Sequence, residues 1–510
     1  MTTAAEPRAR PVAVPVAVDT ESQPPARGGR RGPSLETLYT LAFAVAGWAV
    51  GIAKLGDNSF FWHLRTGRLI LERGIPHSDP YSFTAHGARW VAQSWLAELW
   101  YGVLDRIAGG AGIRIFGAVL GATLAVLSFR LALRIVHDRA RALGVGIGAF
   151  GCLAVLWSPR PMVIAALLFL ALVWIVECPT TWLGRHELLA VPPLMWLWAN
   201  VHGTFELGLV YIALHVVGRW ADGARPWEGR ERRLVVAMVL AAVVVFLNPY
   251  GPALIFFPVE LLSRGKVLRH VVEWRSPDFR ALQGQMLAAW LVVVVCVLAR
   301  TRHRVSRRDV IVAVPFLLLA FWAQRNVALV GFATLPIVAR ALARTDGVAP
   351  STPATPGARR IGYAVVAGVV ALMVGLSAQA LAETPYRTAA HPVKAMQAVE
   401  RAGLLGRRIA APDGWGGYII LKYWPRQRVF VDDRFDMYPV GFMSDYVKVL
   451  DSGEGWQQML QRFRVDVVVW PNEKALAQVL DASPGWVRIH RDQLGAVFVR
   501  RDLATRLGLH

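Results

Sequence analysis

Apolar residues run along this chain in long blocks separated by short polar stretches, and the blocks set its architecture. A helix crossing a bilayer needs about 20 mostly apolar residues. By that measure spans lie near residues 37–55, 111–135, 143–158, 162–177, 188–200, 205–219, 233–248, 286–300, 309–323, 327–342 and 361–381, about eleven in all. The expected fold is a multi-pass α-helical membrane protein, with its membrane domain over residues 36–381. Residues 1–35 are rich in Pro, Ala and Arg, lack an apolar face and are expected to be disordered. They do not resemble a cleavable signal peptide, because the first apolar run, from Thr37, is already span-sized.

Two segments break the pattern. Residues 56–110 form a long loop with two helix-like pieces. In the first, Phe60, Leu64 and Leu71 share one side, while Arg65, Arg68 and Glu72 line the neighbouring side. The second, "RWVAQSWLAELWYGVLDRI", carries Trp90, Trp95, Trp100 and Tyr101, residues suited to a headgroup layer. Both pieces are expected to lie in the membrane interface, joined by an ordered loop, "IPHSDPYSFTAHG". From residue 382 onward the periods shorten. "RRIAA", "GYIILKY", "RVFVDD", "VDVVVW", "WVRIH" and "AVFVRR" read as strands, and 392–404, 441–463 and 473–481 as helices. The alternation predicts a small α/β domain over 382–510. No glycine-rich phosphate loop opens a helix there, which argues against a nucleotide site.

Composition agrees with the spans: 55% of residues are hydrophobic and 18% charged, with a mean hydropathy of +0.39, whereas soluble domains are about 25% charged. The net charge of +21 would suggest nucleic acid in a soluble protein. Here the cations lie between spans, and a positive-inside bias accounts for them. Arg27, Arg30 and Arg31, then Arg139 and Arg141, then Arg225, Arg230, Arg232 and Arg233, then the arginines of 300–308, then Arg344, Arg359 and Arg360 all fall on one side if the spans alternate. That side is the cytoplasm, so the N-terminal tail is inside, and Asp57 and residues 382–510 are outside. Cys152, Cys178 and Cys296 have no paired spacing and support neither a disulfide framework nor a zinc site.

The candidate chemistry follows from this topology. "GDNSFFWHLRTG" places Asp57 and His63 just beyond the first span. Other outer turns hold Arg160, then Asn200, His202 and Glu206, then Glu273 and Trp274, then Arg325, whereas inner loops hold mainly arginine clusters. Charges at span centres cost about 2.5–3.5 kcal/mol, and those tolerated usually face a cavity or a partner. Any single one of these groups could be snorkelling or capping a turn; as a set they point to a site. Arginines there can clamp a phosphate bidentately, and a nearby carboxylate can act as general base on a hydroxyl. The leaving group would be a lipid phosphate whose tail lies in a groove between spans.

The motifs "DNSFFWHLRTG", "IPHSDPYSFT", "RPM", "WANVHG", "NPYG", "EW" and "WGGYII…VFVDDRFDMY", over residues 56–438, resemble a bacterial branch of the glycosyltransferase C superfamily. These are integral membrane enzymes that use polyprenyl-phosphate-linked sugars. The resemblance implies a catalytic base in the first outer loop, and a sugar transferred with inversion to an envelope glycan, lipid or protein outside the bacterial cytoplasmic membrane. It implies Asp57 as general base with His63 positioning or relaying the proton. Asp79 is a second candidate acid, although an Asx-type turn before Pro80 accounts for it equally. Arg160 and Arg325 would take the lipid phosphate; Asn200, His202, Glu273 and Trp274 would take sugar or acceptor hydroxyls. Trp415, Tyr418, Asp432, Asp433, Arg434 and Asp436 would cover the site from the outer domain, or form a turn flanked by an ordinary salt bridge. The branch pattern has two acids in its first motif, whereas Ser59 stands at the second acid's place. Paired acids suggest a divalent metal, so Ser59 disfavours one and no cofactor is expected. "DGWGGYIILKYWP" resembles the acceptor-peptide motif of oligosaccharyltransferases too loosely to transfer a peptide acceptor. A transporter or flippase of lipid-linked saccharides is the rival reading; an inactive envelope-assembly subunit is another. No repeat of the transporter kind is present.

Overall fold

The computed structural model describes residues 32–268, 271–301, 305–343, 355–452 and 455–509. All but the end of the N-terminal tail lies outside the described residues. Each apolar run read as a span is helical, from Leu35–Gly51 to Pro356–Ala382. Among the described residues, Trp95–Val136, Leu282–Arg300 and Arg359–Ala382 are long and apolar enough to cross a membrane, and the remaining helices of the body are shorter. Side-chain caps start several of them: Ser34 accepts from the Thr37 amide, Asp138 from Arg141, and Ser306 forms a reciprocal box with Asp309. Leu35–Gly51 packs tightly on Trp95–Val136 through glycines. A Cβ on Gly47 would lie 2.1 Å from the Gly121 carbonyl oxygen, the close approach that small residues spaced four apart allow.

The outer loop differs from its sequence reading. Its second helical piece is continuous with the following apolar run, forming one 42-residue element, Trp95–Val136, broken at Gly109. Trp90 and Tyr101, read as headgroup residues, are buried, and Trp100 is exposed. They are buried because this loop and the C-terminal domain share one apolar core. Phe60, Phe61, Leu64 and Tyr81 pack in it with Ile419, Phe430, Val431 and Tyr438.

The C-terminal domain carries a four-stranded sheet of order β1-β2-β4-β3, with β1 Ile409–Ala410, β2 Val467–Pro471, β3 Trp486–Arg491 and β4 Gly495–Arg500. β1 runs parallel to β2; β2–β4 and β3–β4 are antiparallel, with Val467 opposite Val499. Two expected strands are not formed. "GYIILKY" lies in the helix Asp413–Tyr423, and "RVFVDD" is extended but joins no ladder beyond a bridge from Val429 to Ser82. Tertiary packing overrides β-propensity here. The Asp413–Tyr423 helix lies against Asn58–Arg73 so closely that the Gly417 amide donates to Asn58 Oδ1 at 2.9 Å. The expected helix 441–463 is two pieces, Val440–Ser452 and Trp456–Arg462.

Candidate active site

Asp57 caps the helix Asn58–Arg73, its Oδ1 accepting from the Phe60 amide at 2.9 Å. The same carboxylate meets Arg160, which precedes the helix Pro161–Glu177. Arg160 Nε donates to Oδ1 at 2.8 Å and Nη2 to Oδ2 at 2.7 Å. Its third nitrogen, Nη1, pairs with Glu273. Burial would raise the Asp57 carboxyl, and the Arg160 guanidinium more than offsets it, holding the group below the ordinary aspartate value. Arg160 is therefore already held by two carboxylates.

His63 lies two turns into the same helix. Its Nδ1 is 2.8 Å from Glu98 Oε1 and its ring lies tilted against Trp62 with centroids 3.6 Å apart. Burial, then the charge of Arg160, pushes it well below the usual histidine value, so it stays neutral near pH 7. His202 is held the same way: Nδ1 accepts from the Thr204 amide at 3.2 Å, and burial with the charges of Arg325 and Arg160 keeps the ring neutral.

Arg325 sits in the turn Gln324–Asn326. Its guanidinium lies 4.8 Å from the Trp274 ring centroid, and Nη2 is 3.5 Å from His202 Nε2. Among the described residues no carboxylate pairs with it. Burial, then Arg160, lowers its pKa to about 10.

The C-terminal domain closes one side of the site. Asp433 Oδ1 accepts from Trp62 Nε1 at 2.6 Å, and Oδ2 accepts from Asn58 Nδ2 at 3.2 Å and from the Ser59 hydroxyl. Burial outweighs the opposing charge of Arg160 and pushes Asp433 up to about 6. Burial likewise raises Asp436 to about 6. Arg434 pairs with Asp432 and, at 2.8 Å, with Asp79, and lies over Trp90 and Tyr81.

One cavity of about 530 Å³ gathers Asp57, His63, Arg160, His202, Glu273, Trp274, Arg325, Asp433 and Arg434. Leu153, Leu156, Val163, Leu268 and Val271 supply an apolar wall. A smaller apolar cavity of about 140 Å³ meets it at Gln93, Leu261, Trp274 and Arg325. Five expected residues lie elsewhere, among them Asp432, which is buried against Arg434. Asp79 is buried in its own turn, accepting from the Tyr81 and Ser82 amides before reaching Arg434, which is the Asx-type arrangement. Asn200 is buried between Trp95 Nε1 and the Trp196 carbonyl. Trp415 donates to the Ala390 carbonyl, and Tyr418 stacks on His391.

Sequence reasoning passed over Trp62, Gln93 and the apolar wall. Ser59 it read only as a missing acid. The wall looks like ordinary span sequence and carries no signal of its own. Among the described residues no group of three His, Cys, Asp or Glu side chains is placed to hold a metal ion, and Asp57 and Glu273 are both committed to Arg160.

No family model matches the sequence, and the search of curated proteins finds no relative. The fold does have counterparts. The chain is similar to ArnT from Cupriavidus metallidurans bound to undecaprenyl phosphate, at 15% identity and a TM-score of 0.51, over 90% of this chain and 97% of that one. It is similar to the Archaeoglobus fulgidus oligosaccharyltransferase, at 11% identity and a TM-score of 0.50, over 85% and 69%. Arabinofuranosyltransferase AftD from Mycobacteria aligns at 12% identity and a TM-score of 0.46, over 92% and 40%. The likenesses to ArnT and to the oligosaccharyltransferase show a shared fold.

Proposed function

We propose that this chain is a membrane glycosyltransferase that moves a hexosyl or pentosyl unit from a polyprenyl-phosphate donor to an envelope acceptor. The acceptor is a glycan, lipid or protein on the outer face of the bacterial cytoplasmic membrane. The observation that carries the reading is Arg325, which among the described residues has no counter-ion, in a cavity with one polar and one apolar wall. A desolvated guanidinium favours an anion, and a phosphate matches its planar donors. The apolar wall and the adjoining apolar cavity suit the first isoprene units of a lipid. Two of the proteins of similar fold carry names that fit, an oligosaccharyltransferase and an ArnT bound to undecaprenyl phosphate. A carboxylate of the cavity takes the acceptor proton; Asp57 is the one the sequence singles out.

The test is whether the purified protein releases free polyprenyl phosphate from a lipid-linked sugar offered with extracted envelope acceptors. Release that depends on the acceptor is the expected result. Movement of the intact donor across a vesicle bilayer, without release, would return the chain to the transporter class.

A further inference from the structure

We propose that Ser59 and Asp433 form the proton-accepting dyad of this site, with Ser59 taking the acceptor proton while passing its own to Asp433, and that Asp57 positions Arg160. This rests on the glycosyl-transfer reading and assigns its base.

The two acids differ in what donates to them. The hydrogen bonds to Asp57 come from N–H groups, the Phe60 amide and the Arg160 guanidinium. Neither passes a proton on, since a guanidinium does not deprotonate in proteins. The Ser158 hydroxyl also lines the cavity and is near enough to favour the Asp57 anion, but its geometry falls short of a regular hydrogen bond, which makes Ser158→Ala the control. Asp433 accepts from two N–H groups and one O–H, that of Ser59. A hydroxyl donates and accepts at once, and Ser59 itself lines the cavity. A substrate hydroxyl can thus donate to Ser59 Oγ while Ser59 donates to Asp433 Oδ2.

The charges facing Asp433 suit a base. Arg160 comes from the turn before Pro161–Glu177, Asp57 from the first outer loop, and Asp432, Arg434 and Asp436 from its own segment. Burial raises the carboxyl most, Asp432 and Asp57 add to that, and Arg160 and the Ser59 bond oppose it. A base is most effective with a pKa near the working pH, whereas Arg160 holds Asp57 low. Environments that push two neighbouring acids apart in this way separate their roles.

The step balances. The acceptor oxygen bonds to the anomeric carbon as the carbon–oxygen bond to phosphate breaks, and the electron pair leaves on the lipid phosphate beside Arg325. The acceptor proton moves to Ser59 Oγ and the Ser59 proton to Asp433 Oδ2. Asp433 then releases it to water, and no further reactant is needed.

The test measures lipid-phosphate release from pH 5 to 9, with donor binding, for the full chain and for Asp433→Asn, Ser59→Ala, Ser158→Ala and Asp57→Asn. The wild-type rate should fall as pH drops through about 6, because a protonated Asp433 accepts nothing. Asp433→Asn should lose about 10²–10⁴-fold in turnover while still binding donor. Ser59→Ala, which leaves Asp433 and its Trp62 contact in place, should lose about tenfold or more and separates lost chemistry from lost folding. Asp57→Asn should slow turnover yet keep the acid limb. The proposal is overturned if Asp433→Asn and Ser59→Ala keep wild-type turnover. It is equally overturned if the limb disappears in Asp57→Asn alone, or if Ser158→Ala rather than Ser59→Ala costs the rate. A wild type that binds donor and releases nothing overturns it together with the glycosyl-transfer reading.

Discussion

Arg160 and Arg325 face the same cavity, yet their neighbours give them different tasks. Arg160 is neutralised by Asp57 and Glu273, whereas Arg325 lies beside the Trp274 ring and His202 with no carboxylate paired to it among the described residues. Arg325→Ala should therefore weaken donor binding by about 10–100-fold, since hydrogen bonds to charged groups contribute about 1.5–3 kcal/mol. Arg325→Lys should recover only part of this, because an ammonium keeps the charge but loses the planar fork. Titration with the lipid-linked donor distinguishes the two; unchanged binding in Arg325→Ala would remove this arginine from the phosphate site. Asp433 also links stability to pH. Its folded pKa, about 6, lies above the ordinary aspartate value. The folded state therefore holds the proton more tightly, and the contribution is present in acid and lost as pH rises through about 6. Asp433→Asn should remove that slope from a melting-temperature series. A third expectation concerns metal: with Asp57 and Glu273 held by Arg160, turnover should survive chelation of divalent cations. Loss on chelation and recovery with manganese or magnesium would show that the carboxylates leave Arg160 for an ion. The residue types at the outer turns were legible because charge beside an apolar run is costly. The Ser59–Asp433 contact was not, since 374 positions separate the partners and only the shared core brings them together.

At the scale of elements, legibility follows length and isolation. Long apolar runs gave helices at their expected places because few other structures satisfy the backbone of such a run. The failures fall where outer loop and C-terminal domain share a core. "GYIILKY" has the aromatic and β-branched content of a strand, but it is helical because Gly417 lets it lie against Asn58–Arg73 while Gly416 lets it approach Val431 and Asp432. The helix Pro252–Ser263 lies between the runs at 233–248 and 286–300, where no element is expected from the sequence. The glycine contact is testable. A Cβ on Gly417 would lie 1.9 Å from the Asn58 carbonyl oxygen, and the atom it meets is backbone, which cannot rotate away. Gly417→Ala should destabilise the docking of the two helices by about 1–3 kcal/mol. Because Asn58 and Ser59 would shift with respect to Asp433, it should lower turnover without touching a cavity group. Limited proteolysis in the 382–392 connection and turnover should change together. A variant that is as resistant and as active as wild type would show that the helices have room to separate.

At the scale of the whole molecule, the site is assembled from chain ends that must share one side of the membrane. Asp57 follows the first apolar helix, Arg160 and Arg325 occupy turns between later ones, and Asp433 comes from the C-terminal domain. Their convergence in one cavity requires these turns to lie together at one end of the helical body. From the arginine asymmetry we propose that this end faces outside. The orientation is tested with single cysteines in a Cys296→Ser background, since Cys296 is exposed whereas Cys152 and Cys178 are buried. Arg73→Cys on the outer loop and Gln478→Cys on the C-terminal domain, both at exposed positions, should react with an impermeant thiol reagent in intact cells. Glu228→Cys, exposed in the loop between the helices ending at Ala221 and beginning at Gly229, should react only after the membrane is broken. The reverse pattern would put the cavity in the cytoplasm, where a base and a phosphate site would have to serve a donor presented on the inner leaflet. Labelling of Arg73→Cys and Gln478→Cys on opposite sides would be stronger still, because Asp433 and Ser59 could then never meet.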